Sequence, residues 1–338
     1  MDMNRRHFLA GAALAATGLT ASGAAAKPTL TAKPIFGERT HFAGSDPRRP
    51  DAAEKNFEKR PFKVMFIGAH PDDADFQCGA LAHKVCRAGG KAVMVSCTNG
   101  DKGHQWMDSK ALAARRYKET QAAARVLGID KYLVLDYPDG RLEPTLEFRE
   151  RLIRLIRTEA PNLLVTHRCS DYHADHRATG QAVRDAAYLF AVPLICPDTP
   201  VPEILPFIMY GGDGFKEPAP FRADLMVADD DILDVLLKAW ACHESQEFEW
   251  LPPEHGFDPA KDIPPANDPA GRLAFLREKM MPGRPTGNGR RHRRELDAAW
   301  GGKGPTYAEV FELCDYARKP TPSELDFLRS IGAKSTLV

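Results

Sequence analysis

Short, uninterrupted apolar runs alternate along this chain with longer stretches whose apolar residues follow helical spacing. The short runs are typical of strands buried on both faces, and the longer stretches have the period of amphipathic helices. Glycine and proline mark several of the boundaries, as at Gly89-Gly90, Gly128 and Pro138-Asp139-Gly140. The pattern predicts strands at 64–69, 92–97, 132–135 and 162–166, and helices at 75–88, 109–127, 145–159 and 174–189.

Four strand–helix pairs in succession predict an α/β fold, a Rossmann-like three-layer sandwich with a mostly parallel sheet. Ligand sites in such sheets lie at the carboxyl ends of the strands. Beyond Pro193 the pattern is less regular: 204–210 could form a later strand, 229–243 is helical in spacing, and one helix is expected near 268–280. We expect a single elaborated domain over 61–338, with a linker or arm at 27–60, and leave the role of 252–305 open.

The first 26 residues have the features of an export signal. Arg5-Arg6 precedes a short apolar run, and Ala24-Ala25-Ala26 supplies a small-residue cleavage site. The paired arginines resemble a twin-arginine signal, which predicts export to the periplasm or the extracellular space. The run is too short for a stable membrane span, so none is expected after cleavage, although an uncleaved anchor is the alternative.

Composition and simple motifs argue against several classes of protein. Lys+Arg and Asp+Glu both number 46, so the chain lacks the basic excess of a nucleic-acid binder. The basic run 290–294 is interpreted as a solvated loop or helix start. Seven scattered cysteines contain no Cys-x-x-Cys, which argues against a disulfide framework or a thiolate zinc cluster. Because no Gly-x-Gly-x-x-Gly follows a predicted strand, a nicotinamide enzyme is not expected.

Polar side chains suited to metal binding follow two of the predicted strands. The first strand is followed by His70, Asp72 and Asp73, and the fourth by the segment 170–176, Ser-Asp-Tyr-His-Ala-Asp-His. Each segment alone could be a polar helix start or an N-cap. Together they lie at carboxyl ends of one sheet and offer His and Asp ligands, a spare carboxylate and a spare imidazole. A catalytic zinc site needs three such ligands and an open position for water.

These two segments resemble the motifs of the PIG-L/LmbE-like deacetylases, which use zinc to remove acetyl groups from N-acetylglucosamine-type substrates. The family's Ala-His-Pro-Asp-Asp is matched by 69–73, and its His-Pro-Asp-His by 173–176, with Ala174 in place of proline. The resemblance implies zinc ligation by His70, Asp73 and His176. It also implies catalytic roles for Asp72 as general base, His173 as oxyanion partner or acid, and Asp175 as the residue that orients His173.

Weaker features of the same family follow in order along the chain. Arg116 and Asp139 are implied as substrate-binding residues, as is Asp101, which departs from the usual Gly-Glu of the family. The segment 243–246 resembles a late helix motif, and the resemblance runs from about Lys63 to Gln246.

The resemblance implies hydrolysis of an N-acyl bond, N-acetyl in the family pattern, on an amino sugar or glycan fragment. Two alternatives stay open: a non-catalytic carbohydrate-binding protein with this fold, and an amidase acting on a non-sugar amide. A two-metal phosphoesterase is disfavoured because too few bridging carboxylates can be placed. Zinc is the expected cofactor, although Fe(II) and Mn(II) accept the same ligands, and the oligomeric state stays open.

Overall fold

A computed structural model describes residues 48–281 and 287–337. The predicted signal peptide and residues 27–47 of the predicted linker lie outside these residues. The rest of that linker contains a short helix. The described strands are β1 Lys63–Gly68, β2 Lys91–Thr98, β3 Lys131–Tyr137, β4 Leu163–Thr166, β5 Phe207–Gly211, β6 Leu225–Ala228, β7 Ala308–Leu313 and β8 Lys334–Ser335. The helices are α1 Pro50–Asn56, α2 Asp73–Arg87, α3 Ser109–Leu127, α4 Leu146–Glu159, α5 Ala174–Ala186, α6 Leu233–Trp240, α7 Pro269–Phe275, α8 Asn288–Arg291, α9 Arg293–Ala299 and α10 Pro322–Ser330.

The four predicted strand–helix pairs are all present, and α3 has the predicted bounds. This helix is set by its ends, because the Asp108 side chain accepts from the Ala111 amide and Gly128 ends the helix with φ 69°. The strand expected at 204–210 is β5, and the helices expected at 229–243 and near 268–280 are α6 and α7. Each of the three is shorter than predicted. The last of these continues into a π-helical turn, Leu276–Met280. β6, β7, β8 and α10 were not predicted from the sequence.

Within the described residues the sheet has eight strands in the order β3-β2-β1-β4-β5-β7-β6-β8. The first five in this order pair in parallel, and the last three join antiparallel. The Rossmann-like α/β class is therefore confirmed. The chain runs outward from β1 through β2 to β3 and then returns to β4 on the other side of β1. A crevice forms at this reversal of strand order, between the carboxyl ends of β1 and β4.

Both faces of the sheet are buried, which explains the uninterrupted apolar runs. In β1, Val64 and Phe66 join a core cluster that also contains side chains of α2, α3 and α6. Met65 and Ile67 point to the opposite face and join a second cluster with α4 and α5. A strand covered by helices on both faces needs apolar residues at every position, so the run itself encodes the three layers. In the described residues no helix is long and apolar enough to span a membrane.

A pair of carboxyl groups is buried where β7 packs against α2. The side chain of Glu309 accepts from the backbone amides of Ala80 and Leu81 at 2.7 and 2.9 Å. Asp229 accepts from the amide of Glu309 at 3.3 Å. Burial raises the pKa of Glu309 to about 7. Burial and the neighbouring Glu309 raise the pKa of Asp229 well above its ordinary value.

This pair predicts a stability that declines as pH rises. The folded state holds protons that the unfolded state releases near its ordinary carboxyl pKa. The stabilisation is therefore complete at low pH and is lost as pH rises through the folded pKa values, at about 1.4 kcal/mol per unit of difference. We expect the free energy of unfolding of Asp229→Asn, relative to that of wild type, to increase as the pH rises from 5 to 8. Urea unfolding at several pH values measures this difference. Asp231→Asn, at an exposed partner of Lys84, is the control, and equal pH dependence in all three proteins would contradict the prediction.

Candidate metal centre and catalytic cleft

The turn after β1 folds the carboxylate of Asp73 back onto the end of the strand. Its Oδ2 accepts from the backbone amides of Ala69 and His70 at 2.9 and 2.7 Å. Gly68 makes this approach possible, since a Cβ at that position would lie 2.8 Å from the Cβ of Asp73 and 2.6 Å from the ring of Phe66. Asp73 is thereby fixed at the first position of α2 with its other oxygen directed towards the crevice.

The segment after β4 brings its imidazoles to the same crevice. His173 is the N-cap of α5, and its Nδ1 accepts from the backbone amide of Asp175 at 3.2 Å. One turn later His176 lies in the first turn of α5, with its side chain buried. The predicted placement of both segments at strand carboxyl ends is therefore what the structure shows.

The three residues implied as zinc ligands come together. His70 Nδ1 lies 3.2 Å from His176 Nε2. His176 Nε2 lies 3.4 Å from Asp73 Oδ1, and His70 Nδ1 lies 3.6 Å from Asp73 Oδ2. Ligands held at about 2.0–2.2 Å from a tetrahedral zinc ion are separated from one another by roughly 3.3–3.6 Å. Asp73 contributes a different oxygen to each of its two distances, so the structure shows donors of the types that zinc prefers, close together and at about the required spacing.

Each of the two candidate imidazole ligands has a carboxylate beside its outer nitrogen. His176 Nδ1 lies 3.1 Å from Asp171 Oδ1. His70 Nε2 lies 3.2 Å from Asp139 Oδ1 and 3.4 Å from Asp175 Oδ2. Carboxylates in this position fix the tautomer of a metal-binding histidine and make it a better ligand. This arrangement is a second observation in favour of a metal centre.

The close approach of imidazoles and carboxylates shifts the pKa values of His70, His176 and Asp73. Burial acts to lower the pKa of His70, but Asp139, Asp175 and Asp73 outweigh it and raise the pKa well above its ordinary value. For His176, burial also acts downwards, and Asp73 with Asp171 raises the pKa to about 9. Burial acts to raise the pKa of Asp73, yet the neighbouring imidazoles hold it well below its usual range. The carboxylates therefore favour positive charge on the two imidazoles, and a metal cation can supply that positive charge in place of the protons.

His167 also belongs to this cluster, although the sequence analysis did not select it. Its Nε2 lies 3.1 Å from Asp73 Oδ2 and accepts from the amide of Ala69 at 3.2 Å. Its ring stacks on that of His176 with centroids 4.0 Å apart. His167 thus supports the Ala69 turn through this hydrogen bond and His176 through ring stacking, and with Asp73 and His176 it forms one of the groups that could hold a metal ion. Its position directly after β4 was the signal that could have found it.

Asp72 and Arg116 form an ion pair at the edge of the centre. Arg116 Nη2 lies 2.8 Å from Asp72 Oδ2, and both side chains are buried but line the cleft. Gly100, with φ 67°, leaves room for the guanidinium, because a Cβ there would lie 2.6 Å from Arg116 Nη1. Arg116, which the resemblance assigned to substrate, therefore also holds Asp72 in place.

The remaining predicted residues take different positions. His173 and Asp139 line the cleft. Burial, followed by the charges of His70 and His176, lowers the pKa of His173. Asp175 accepts from the amides of Gly140 and Leu142 and faces His70, so its only contact with His173 described here is through its backbone.

Asp101 was expected to contact substrate, but it does not line the cleft. Its side chain accepts from the Asp139 amide at 3.0 Å and from Lys102 at 2.7 Å. The contacts hold the loop that carries Asp139. His243 likewise lies outside the cleft, fully buried with Nε2 3.0 Å from Asp75 Oδ2.

The centre opens into a cleft of about 650 Å³, within the range of small-molecule sites. Its outer wall includes Trp250, Glu254, His255 and Arg291. Three of these four come from 252–305, whose role the sequence left open. Part of that stretch is therefore the rim of the cleft.

Fold and site together define a Rossmann-like α/β protein with a histidine–aspartate cluster, a candidate metal centre, at the strand reversal. Residues 65–187 match the family model described as PIG-L: GlcNAc-PI de-N-acetylase. This match confirms the resemblance to the PIG-L/LmbE-like deacetylases.

Two relatives and one solved structure are also similar to this chain, and all three are named as deacetylases. The diacetylchitobiose deacetylase of Thermococcus kodakarensis is 29% identical over 189 residues, 54% of this chain and 70% of that protein. The 1D-myo-inositol 2-acetamido-2-deoxy-alpha-D-glucopyranoside deacetylase of Kineococcus radiotolerans is 25% identical over 231 residues, 52% of this chain and 64% of that protein. The structure of N,N'-diacetylchitobiose deacetylase from Pyrococcus horikoshii with its inhibitor MPG superposes with a TM-score of 0.54. It is 23% identical and covers 83% of this chain and 95% of its own, which supports the shared fold.

Proposed function

We propose that the protein is a zinc-dependent hydrolase that removes the N-acetyl group from an amino-sugar substrate. The observation that carries the proposal is the spacing of 3.2–3.6 Å among the nitrogen and oxygen ligands of His70, Asp73 and His176 at the base of an open cleft. The names of the relatives support an N-acetylated sugar as the substrate class. Fe(II) and Mn(II) are alternative metals for the same ligands.

A zinc ion in this site supplies a water of lowered pKa and an electrophilic contact for the amide oxygen. Asp72 lines the cleft beside the ligands and is the group that accepts the proton of the attacking water. The Arg116 ion pair holds that carboxylate in position. Asp72 then passes the proton to the leaving nitrogen.

His173 is placed to stabilise the charge that develops on the amide oxygen. Its Nδ1 accepts from the Asp175 amide, which leaves the proton on Nε2. The ring packs edge-on against that of His70, with centroids 4.5 Å apart, so it stands beside the metal ligands. A neutral imidazole fixed in this tautomer donates a hydrogen bond towards the reacting group.

An amine-release assay tests the proposed reaction. The protein is incubated with N-acetylglucosamine, N,N'-diacetylchitobiose and larger N-acetylated glycan fragments, with and without a chelator. We expect amine release that the chelator abolishes and that added zinc restores. Binding of these sugars without release would favour the carbohydrate-binding alternative. Simple N-acetylated amines are included in the panel, and release from these alone would favour the amidase.

We also propose that the protein is exported through the signal expected at residues 1–26. The paired arginines are the feature that a twin-arginine system would recognise. Replacing Arg5 and Arg6 together by lysine is expected to retain the protein in the cytoplasm, as measured by cell fractionation. The same replacement at Arg293 and Arg294 is the control, and unchanged export of the Arg5/Arg6 variant would contradict the assignment.

A further inference from the structure

One wall of the cleft leads from the metal centre to a guanidinium group. Tyr172 packs against His176 with ring centroids 5.6 Å apart, and Phe215 packs against Tyr172 at 6.3 Å. Next along the chain from Phe215 is Gly214, against which Arg291 lies. The side chains of His176, Tyr172, Phe215 and Arg291 all line the same cleft. A single bound molecule can therefore contact the metal centre, the two aromatic rings and Arg291.

Arg291 is held in place by an uncharged partner. Its Nη1 donates to Oδ1 of Asn288 at 2.7 Å, and Asn288 is itself buried. Gly214 allows the guanidinium to lie against the backbone, since a Cβ there would be 3.0 Å from its central carbon. A side chain fixed in this way loses less conformational entropy when it binds a ligand than a free surface arginine would.

Among the described residues, no carboxylate is paired with the charge of Arg291. The nearest acidic position in the chain to Gly214 is Asp213, whose two carboxylate oxygens are taken by Arg168 at 2.6 and 2.8 Å. In the part of the chain that the structure describes, Arg291 makes no ion pair with a carboxylate. By contrast, Lys102 and Arg116, the other strong cations of the cleft, are paired with Asp101 and Asp72.

The aromatic rings suit the part of a ligand between the centre and Arg291. The side chain of Tyr172 is exposed, with a relative accessibility of 76% for the residue. An exposed ring beside a catalytic centre can stack on an apolar face of a sugar, and a guanidinium binds a carboxylate or phosphate through paired hydrogen bonds. Neither Arg291 nor Phe215 lies within the residues 65–187 that match the family model.

We infer that Arg291 is a specificity-determining residue that selects an N-acetylated sugar carrying an anionic group. This inference rests on the proposed function, because it assumes that the acetamido group lies at the metal centre. The anion is placed at Arg291, and the sugar ring lies over Tyr172 and Phe215. The shared chemistry is a carboxylate or phosphate on the sugar.

The test compares three substrates that differ in charge: N-acetylglucosamine, N-acetylmuramic acid and N-acetylglucosamine 6-phosphate. We expect the zinc-loaded wild type to have a kcat/KM about tenfold or more higher for at least one acidic sugar than for the neutral one. Arg291→Ala is expected to remove this preference with little effect on the neutral sugar, and Arg291→Lys to keep part of it. The carboxylate and phosphate arms identify which anion is recognised.

Arg294→Ala is the matched control, because Arg294 is exposed on α9 and does not line the cleft. Equal turnover of neutral and acidic sugars by wild type, or an equal loss on all three in Arg291→Ala, would overturn the inference while leaving the deacetylase function in place. If no sugar is hydrolysed, the proposed function fails instead. Calorimetric binding of the same three sugars to wild type and Arg291→Ala then decides the anion preference separately.

Discussion

Asp72→Asn is expected to lower kcat/KM by about 10²–10⁴-fold while the protein keeps its metal. Asparagine has nearly the same shape and can still accept a hydrogen bond from Arg116, but it cannot take the proton of the attacking water. The ligands His70, Asp73 and His176 are unchanged, so metal content measured by atomic emission should match wild type. Asp72→Ala is expected to show the same loss of turnover.

Asp198→Asn provides a matched control for the loss of an aspartate paired with an arginine. Asp198 pairs with Arg154 at 2.8 Å, outside the lining of the cleft. Its replacement should leave turnover within about twofold of wild type, since surface ion pairs contribute about 0–1 kcal/mol to stability. A fully active Asp72 variant, with metal bound, would refute Asp72 as the base.

His70→Ala is expected to lose both the metal and the activity. The substitution removes one of three ligands and leaves Asp139 and Asp175 facing an empty position, where they no longer orient an imidazole. Metal content after dialysis should fall to background, and turnover should fall with it. Metal retention equal to wild type would contradict the assignment of His70 as a ligand.

Two further variants allow zinc affinities to be ranked between wild type and His70→Ala. Asp171→Asn removes the charge beside Nδ1 of His176 and should weaken zinc binding by about 10–100-fold without abolishing it. His173→Ala should leave zinc binding intact and lower turnover only. The order of zinc affinity, with wild type and His173→Ala above Asp171→Asn and Asp171→Asn above His70→Ala, separates ligands from their supports.

The polarity pattern predicted the architecture well because local physics determines it. A strand covered on both faces must be apolar throughout, and β1 and β4 carry that requirement in their own residues. The N-cap Asp108 and the terminating Gly128 fix α3 without distant contacts. The antiparallel end of the sheet was harder to predict, since β6 and β8 are short and gain their order from pairing with strands far away in sequence.

The sequence also determined that two polar segments would meet, because both follow strands whose carboxyl ends lie side by side at the reversal of strand order. It did not determine which side chains face one another there. Asp175 faces His70 rather than His173, and Asp101 supports the Asp139 loop instead of the cleft. Such contacts depend on how loops after different strands fold together, and no spacing along one segment encodes them.

The opening of the cleft was decided by tertiary structure alone. Trp250 and Arg291 reach it from segments with no periodic pattern and no spacing relation to the first strand. The sequence by itself determined the layers of the fold and the identity of the candidate metal-binding segments, since hydrophobic burial and chain order suffice for both. Packing among the loops that follow different strands decided which side chains support the candidate ligands, and packing of the later segments decided the outer wall of the cleft, because those contacts form only in the folded chain.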